Sequence, residues 1–156
     1  MGQLYSFRPS ILLLLVAFTL GCAGHKSKRA RLEVLISTAR SYIGTPYKWG
    51  GTSRRGMDCS GLLLNSFKAI KYEIPRTSAG QSKIGKRVGK DEIKPGDLIF
   101  FATGKKKRKI THVGLVTDVH GGDVQFIHAS SSKGVTESHL STEYYRKRYR
   151  QARRVL

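Results

Sequence analysis

Apolar residues recur at helical spacing in two stretches of the first half of the chain. The first stretch predicts a helix over residues 31–43, because its apolar positions share one face and Gly44 and Pro46 follow it. Those positions are Leu32, Leu35, Ile36, Ala39 and Ile43. The second predicts a helix over residues 59–70, which Asp58 would cap at its N-terminus.

The second half of the chain changes to short β-prone runs separated by turn-forming residues. A third short helix over residues 78–84 and a turn-rich link over residues 90–95 come first. The β-prone runs then cover residues 97–102, 112–119, 124–129 and 152–156. Helices followed by strands predict an α+β fold, with N-terminal helices packed on a largely antiparallel sheet.

The N-terminus has the features of an export signal. Arg8 precedes an apolar run over residues 11–20, which is short for a membrane span. The run ends in Leu20-Gly21-Cys22, a pattern typical of bacterial lipoprotein processing with acylation at the cysteine. We therefore expect a signal peptide over residues 1–21, a lipidated tether over 22–30 and one domain over 31–156. An uncleaved anchor and a plain secretory peptide are the alternatives.

The charge of the chain first suggests nucleic acid as the partner. The 156 residues contain 29 Lys and Arg against 10 Asp and Glu, a formal net charge of +19. An exported lipoprotein would meet the bacterial envelope instead, and the chain lacks the paired aromatic platforms of nucleic-acid modules. We expect a membrane partner through lipid on Cys22, placement at the outer membrane facing the periplasm, and no specific nucleic acid.

One cysteine and two histidines are candidates for nucleophilic catalysis. Cys59 falls in the first turn of the second predicted helix, where backbone N–H groups and a nearby imidazole can lower the pKa of a thiol. His112 begins a predicted strand and could serve as its base, and His128 on the next strand could orient that base. Taken singly, each of these residues could equally be part of an ordinary core. We expect no disulfide, since Cys22 lies at the signal junction.

The hairpin between the two histidines sets a geometric condition. Both side chains share one face of the sheet only if the connecting loop has an odd number of residues, as with a loop of His120-Gly121-Gly122 that has Gly122 left-handed. Such a loop places Gly114 opposite His128. A two-residue loop at Gly121-Gly122 predicts opposite faces.

Six short motifs, in this order along the chain, resemble those of the NlpC family of cell-wall cysteine peptidases. They are Tyr47-Lys48-Trp49-Gly50-Gly51, Met57-Asp58-Cys59-Ser60-Gly61, Pro75-Arg76-Thr77-Ser78 with Gln81, Pro95-Gly96-Asp97-Leu98-Ile99-Phe100-Phe101, Thr111-His112-Val113-Gly114, and Phe126-Ile127-His128-Ala129 with Gly134-Val135. The resemblance covers residues 32–155, and the motifs are specific in combination.

The resemblance implies a papain-like fold and cleavage of peptidoglycan stem peptides, typically between D-γ-glutamate and the diamino acid. It makes Cys59 the nucleophile, His112 the base and His128 the third polar residue. Tyr47 would bind the oxyanion or the substrate, and Asp58 and Ser60 would flank the nucleophile. Arg76 would either hold a substrate carboxylate or simply solvate a loop.

Other functions remain open from the sequence alone. The fold could serve a non-catalytic wall-binding lipoprotein, or a lipid or ester acyl hydrolase, although in the latter the order of Cys and His is generally reversed. We expect no metal and no other cofactor, because Cys59, His112 and His128 do not form a zinc-ligand spacing pattern.

A run of five cations, Lys105-Lys106-Lys107-Arg108-Lys109, joins two predicted strands just before His112. We expect it at the rim of the site, either as a solvated loop or as a surface that attracts the enzyme to an anionic envelope. The stretch over residues 144–154 is also basic and is predicted to be strand and turn.

Overall fold

The computed structural model describes residues 27–156, which form a helical layer packed on an antiparallel sheet. Helix α1 runs through residues 27–40. The other helices are α2 (Cys59–Ala69), α3 (Ser78–Gln81) and α4 (Glu143–Arg148), with a 3₁₀ turn at Lys90–Glu92. None of the described helices has the length and apolarity needed to cross a membrane. The expected signal peptide, the lipidation site Cys22 and the start of the tether lie outside the described residues.

Eight strands form a small hairpin and a six-stranded sheet. Strands β1 (Thr52–Ser53) and β2 (Gly56–Met57) make the hairpin. The sheet comprises β3 (Lys86–Val88), β4 (Leu98–Phe101), β5 (His112–His120), β6 (Asp123–Ser130), β7 (Gly134–His139) and β8 (Tyr149–Arg154). Its spatial order is β3-β8-β4-β5-β6-β7 with every neighbouring pair antiparallel, so the expectation of an α+β fold is confirmed.

The two faces of the sheet support separate apolar cores. Alternation along β5 and β6 sends Val113, Leu115 and Ile127 toward α1 and α2, where they pack with Leu35 and Phe67. The opposite residues form a second core with α4 and the 3₁₀ region. That second core contains Val88, Ile93, Ile99, Phe101, Val116, Val124, Phe126, Leu140 and Ala152. Burial on both faces fixes the register of the central strands.

Several elements differ from the sequence-based expectations. Residues 27–30 are already helical, where we expected part of a flexible tether. The stretch after residue 142 folds into α4 before β8, where we expected strand and turn. Strands β3 and β7 were not predicted, because their sequences are polar and only partly buried and so give little apolar alternation.

The β5–β6 hairpin contradicts the expected loop. His120 pairs with Asp123, so the loop is the two-residue turn Gly121-Gly122, and both glycines have positive φ. Such a turn alone would put His112 and His128 on opposite faces. A β-bulge between Val116 and Asp118 inserts Thr117 as an unpaired residue and shifts the register by one, so that continuing the register beyond Leu115 and Ile127 places Gly114 opposite His128. The expected loop was therefore wrong, while the bulge produces the expected pairing.

In the β5–β6 pairing, Gly114 is the position with the least room for a side chain. A Cβ atom there would lie 2.5 Å from Phe126 Cδ2 and 3.2 Å from the Ile127 carbonyl oxygen. We expect Gly114→Ala to lower the free energy of unfolding by about 1–3 kcal/mol through overpacking, measured by urea denaturation. Gly104→Ala is the control, because its Cβ atom would meet its nearest neighbour, Thr111 Cγ2, at 3.4 Å. Equal unfolding midpoints for the two variants would contradict this packing.

Candidate active site

Cys59 is the first residue of α2 and lies almost entirely beneath the surface. Its side chain is a free thiol and the residue is 6% exposed. Asp58 is the N-cap, as predicted, with an extended backbone and a carboxylate Oδ1 that accepts from the Gly61 N–H at 2.7 Å. The Asp58 side chain does not accept from the Cys59 or Ser60 N–H groups, and both of these N–H groups favour a lower pKa of the Cys59 thiol.

The Asp58 carboxylate also joins the segments around the nucleophile. Oδ2 accepts from the Gly50 N–H at 2.9 Å and from Arg76 Nη2 at 2.8 Å. Oδ1 accepts from Arg76 Nη1 at 3.0 Å and from Ser60 Oγ at 3.1 Å, in addition to Gly61. Burial alone would raise the pKa of Asp58, but these hydrogen bonds and the Arg76 charge hold it below its usual value.

Three of the four residues predicted to contact substrate are therefore joined to one another. Asp58 and Ser60 are buried, and Arg76 forms a two-point ion pair with Asp58 while also donating to Ser60 Oγ at 2.8 Å. Arg76 is thus not merely solvating a loop, which was one of its two interpretations. The pair fixes the loop before α3 against the start of α2.

His112 and His128 meet edge to face at the ends of β5 and β6. His112 Nε2 lies 3.0 Å from His128 Nδ1, so the structure brings together the two histidines paired by the sequence analysis. Val113, the residue after His112, packs in the same apolar core as Cys59, which brings the start of β5 toward the nucleophile. With Nε2 engaged by His128, Nδ1 is the His112 nitrogen available to the thiol.

Two hydroxyl groups that the sequence analysis did not identify lie within hydrogen-bond distance of His128 Nε2, the ring nitrogen that does not contact His112. Ser138 Oγ and Tyr145 Oη each lie 3.0 Å from His128 Nε2. If His112 is to accept a proton at Nδ1, its Nε2–H must donate to His128 Nδ1, and His128 must then carry its hydrogen on Nε2. The two hydroxyl oxygens accept that hydrogen. Ser138 and Tyr145 lie on β7 and α4, two elements whose sequences gave no clear prediction.

Burial keeps the candidate catalytic groups neutral at rest. It raises the pKa of Cys59 to about 11, although the Val113 N–H opposes the rise. Burial also lowers the pKa of His112 to about 4, and burial followed by the charge of His112 lowers that of His128 to about 3. The sequence analysis expected the helix start and an imidazole to lower the thiol pKa. The N–H donors are present, but desolvation outweighs them.

Tyr47 lies beside the nucleophile, held by backbone pairing to the small hairpin. It forms a parallel bridge with Met57, and the flanking Lys48 N–H donates to the Met57 carbonyl at 3.1 Å. Burial raises the pKa of the Tyr47 phenol, and the Coulomb interactions of the phenolate with ionised Cys59 and with the Asp58 carboxylate raise it further. Tyr47 therefore stays protonated and can donate a hydrogen bond next to Cys59.

An open cleft of about 660 Å³ leads to these residues. Tyr47, His112 and His128 line its floor, with Trp49 and Tyr144 among its other lining residues. The indole of Trp49 is 85% exposed, which gives the cleft an apolar wall facing solvent. The cleft is large enough for a peptide segment to reach His112 and His128.

A protein-family model matches the part of the chain that contains this site. Residues 44–154 match the NlpC/P60 family. The chain belongs to the NlpC/P60 family. The match includes Tyr47, Cys59, His112 and His128, and it confirms the resemblance drawn from the six motifs.

Individual family members are similar over most of the chain. The probable endopeptidase NlpC of Escherichia coli K12 is 41% identical in an alignment of 155 positions that covers 92% of this chain and 97% of that protein. A murein DD-endopeptidase/LD-carboxypeptidase of the same organism, MepS, is 40% identical over 72% of this chain and 57% of its own length. A γ-D-glutamyl-L-lysine dipeptidyl-peptidase of Bacillus subtilis is 39% identical over 77% of this chain and 40% of its own length.

A solved structure has the same fold. The crystal structure of an NlpC/P60 family protein from Bacillus cereus superposes with a TM-score of 0.71 at 37% identity, covering 80% of this chain and 40% of that one. The fold and the family identify this NlpC/P60 chain as a cysteine peptidase.

The buried histidines should make stability depend on pH. Because the pKa of His112 is about 4 and that of His128 about 3, the unfolded chain binds more protons than the folded chain between pH 6.5 and 4. The free energy of unfolding should therefore fall as pH is lowered through this range. His128→Gln should reduce the slope by up to about 1.4 kcal/mol per pH unit. His120→Gln, at the exposed end of β5, is the control; equal slopes for His128→Gln and the parent protein would contradict the burial argument.

The hydroxyl groups of Ser138 and Tyr145 should affect kcat, because they stabilise the tautomer of His128 that carries its hydrogen on Nε2. A net hydrogen bond contributes about 0.5–1.5 kcal/mol, so Tyr145→Phe and Ser138→Ala should each lower kcat for peptide hydrolysis about 2- to 10-fold, and the double variant more. ¹⁵N NMR of His128 should show a loss of the Nε2–H form in the double variant. Tyr149→Phe, whose ring packs on the second core, is the matched control. A double variant that keeps both the parental kcat and the Nε2–H form would contradict the tautomer argument.

Proposed function

We propose that this chain hydrolyses peptidoglycan stem peptides, with Cys59 as nucleophile, His112 as base and His128 as the residue that orients it. The observation that carries the proposal is the contact between His112 Nε2 and His128 Nδ1 at 3.0 Å, which leaves Nδ1 of His112 as the nitrogen that takes the Cys59 proton. Membership in the NlpC/P60 family supports the same assignment.

In the first half of the reaction, the Cys59 sulfur attacks the carbonyl carbon of the scissile amide while its proton passes to His112 Nδ1. Burial penalises each charge when it forms alone. Proton transfer forms both charges together, and their attraction in the low-dielectric site offsets part of that penalty. The resulting imidazolium donates through Nε2–H to His128.

The tetrahedral intermediate then needs donors for its oxyanion. We assign this role to the backbone N–H of Cys59 at the start of α2 and to the Tyr47 hydroxyl, both beside the nucleophile. The C–N bond breaks as His112 gives its proton to the leaving amine, which leaves a thioester on Cys59. His112 next takes a proton from the water whose oxygen attacks the thioester carbon. It returns this proton to the Cys59 sulfur as the C–S bond breaks and the acid product leaves.

The bond we propose for cleavage lies between D-γ-glutamate and the diamino acid. The name of the Bacillus subtilis relative describes a bond of this kind, whereas that of MepS describes DD-endopeptidase and LD-carboxypeptidase activities. In this proposal Asp58, Ser60 and Arg76 form the base of the substrate site. The part of the Arg76 side chain that stays exposed, 37%, is available to a polar group of the substrate.

We further propose that the protein is a membrane lipoprotein acylated on Cys22 and that it faces the periplasm from the outer membrane. The Leu20-Gly21-Cys22 junction supports the acylation, and Ala23, which is not an acidic retention signal, supports the outer membrane. Globomycin-sensitive processing with a mass increase at Cys22 is the expected result. Normal membrane association of a Cys22→Ala variant would contradict it.

Mass spectrometry of fragments released from purified peptidoglycan tests the reaction, the bond and the nucleophile together. The parent protein should release peptides cut after γ-glutamate, and a folded Cys59→Ala variant should be slower by at least about a thousandfold. Fragments cut at the cross-link would assign the MepS type of bond instead. Release by neither protein, with binding to peptidoglycan retained, would favour a non-catalytic wall-binding lipoprotein.

A further inference from the structure

Two basic segments meet at one edge of the cleft. The loop between β4 and β5 contributes residues 105–109, and the end of α4 with the start of β8 contributes Arg146, Lys147, Arg148 and Arg150. Arg150 Nε donates to the Lys107 carbonyl oxygen at 2.7 Å, and the Ala102 N–H donates to the Arg148 carbonyl at 2.9 Å. These contacts make the two segments one continuous surface, which we term the basic rim.

Little of the positive charge on the basic rim is balanced within the protein. Residues 105–109 are all exposed. Across the described part of the chain, Lys147 is the only residue of the rim in an ion pair, which it forms with Glu143. A surface that concentrates this much like charge attracts anionic polymers strongly at low salt and weakly once salt screens it.

The basic rim continues directly from the walls of the cleft. Thr103, Gly104 and Thr111, at the two ends of the loop, line the cleft. Thr142 and Tyr144, just before the second segment, line it as well. A polymer with one segment in the cleft must therefore pass close to the rim.

Arg148 is held in a fixed orientation at this border. Its guanidinium carbon lies 3.8 Å from the centroid of the Tyr144 ring, and Nη1 donates to the Tyr144 carbonyl oxygen at 3.1 Å. Tyr144 is 49% exposed and lines the cleft. A planar guanidinium already positioned by stacking loses little entropy when it binds a carboxylate, and its geometry suits a two-point contact.

We propose that the basic rim binds the carboxylates of stem peptides that neighbour the one being cleaved, so that the enzyme recognises the cross-linked polymer as well as a single peptide. This inference rests on the proposed function. The continuity between rim and cleft favours a carboxylate-bearing polymer over a bilayer, because a bilayer has no segment that enters the cleft.

The test compares cleavage of intact peptidoglycan with cleavage of a free stem peptide by the full chain. The rim variant replaces residues 105–109 with glutamine. Its matched control replaces Lys83, Lys86, Arg87, Lys90 and Lys94, which are exposed near β3, so that both variants lower the formal net charge from +19 by five, to +14.

At low salt the rim variant should lose about tenfold or more in kcat/KM on intact peptidoglycan and nothing on the free peptide, while the control variant keeps both activities. Raising the salt should erase the difference on the polymer. Arg148→Gln should reduce polymer cleavage more than Lys106→Gln, because only Arg148 is held in place by a ring. Equal losses in the rim and control variants, or no loss in either, would overturn the proposal.

Binding measurements separate this inference from the proposed function. Cosedimentation with peptidoglycan can be measured on Cys59→Ala, with and without the rim substitutions, because binding needs no catalysis. A parent protein inactive on both substrates would therefore contradict the proposed function and leave the inference about the rim testable by binding. Rim substitutions that abolish cosedimentation with phosphatidylglycerol vesicles but leave peptidoglycan binding and cleavage unchanged would assign the rim to a membrane surface and overturn the inference.

Discussion

The Asp58 carboxylate is the constraint on which the geometry of the nucleophile depends. It caps α2 through Gly61, accepts from the Gly50 N–H in the loop before β1, and forms a two-point ion pair with Arg76. These contacts link the first turn of α2, the loop before β1 and the loop before α3 to the residue directly before Cys59. Removing Arg76 would leave the largely buried Asp58 carboxylate without its ion-pair partner, so the start of α2 has little freedom to move.

The register of β5 and β6 is a second constraint on the site. It shows which parts of the site can be predicted from the sequence and which cannot. The two main helices, the central strands and the Asp58 cap follow from apolar spacing and capping rules, which are local. The extra residue at Thr117 is not predictable from local alternation, because Thr fits either a regular strand or a bulge. The same limit explains Ser138 and Tyr145: they touch His128 only because β7 and α4, weakly marked in the sequence, fold against it.

Burial favours the uncharged forms of Cys59, His112 and His128. Desolvation moves the pKa of Cys59 upward and those of His112 and His128 downward, so the thiol and both imidazoles are neutral before substrate binds. The backbone N–H groups at the start of α2 and of Val113 oppose the rise in the Cys59 pKa. The site is thus organised to stabilise negative charge that forms during the attack, when the proton has moved to His112.

The pH dependence of Cys59 alkylation by iodoacetamide, followed by mass spectrometry of the peptide that carries Cys59, tests this account most directly. A neutral resting pair predicts a rate that is low at pH 7 and still rising above pH 9, consistent with a thiol pKa of about 11. A rate that reaches its plateau below pH 7 would show a resting thiolate–imidazolium pair and would contradict the account.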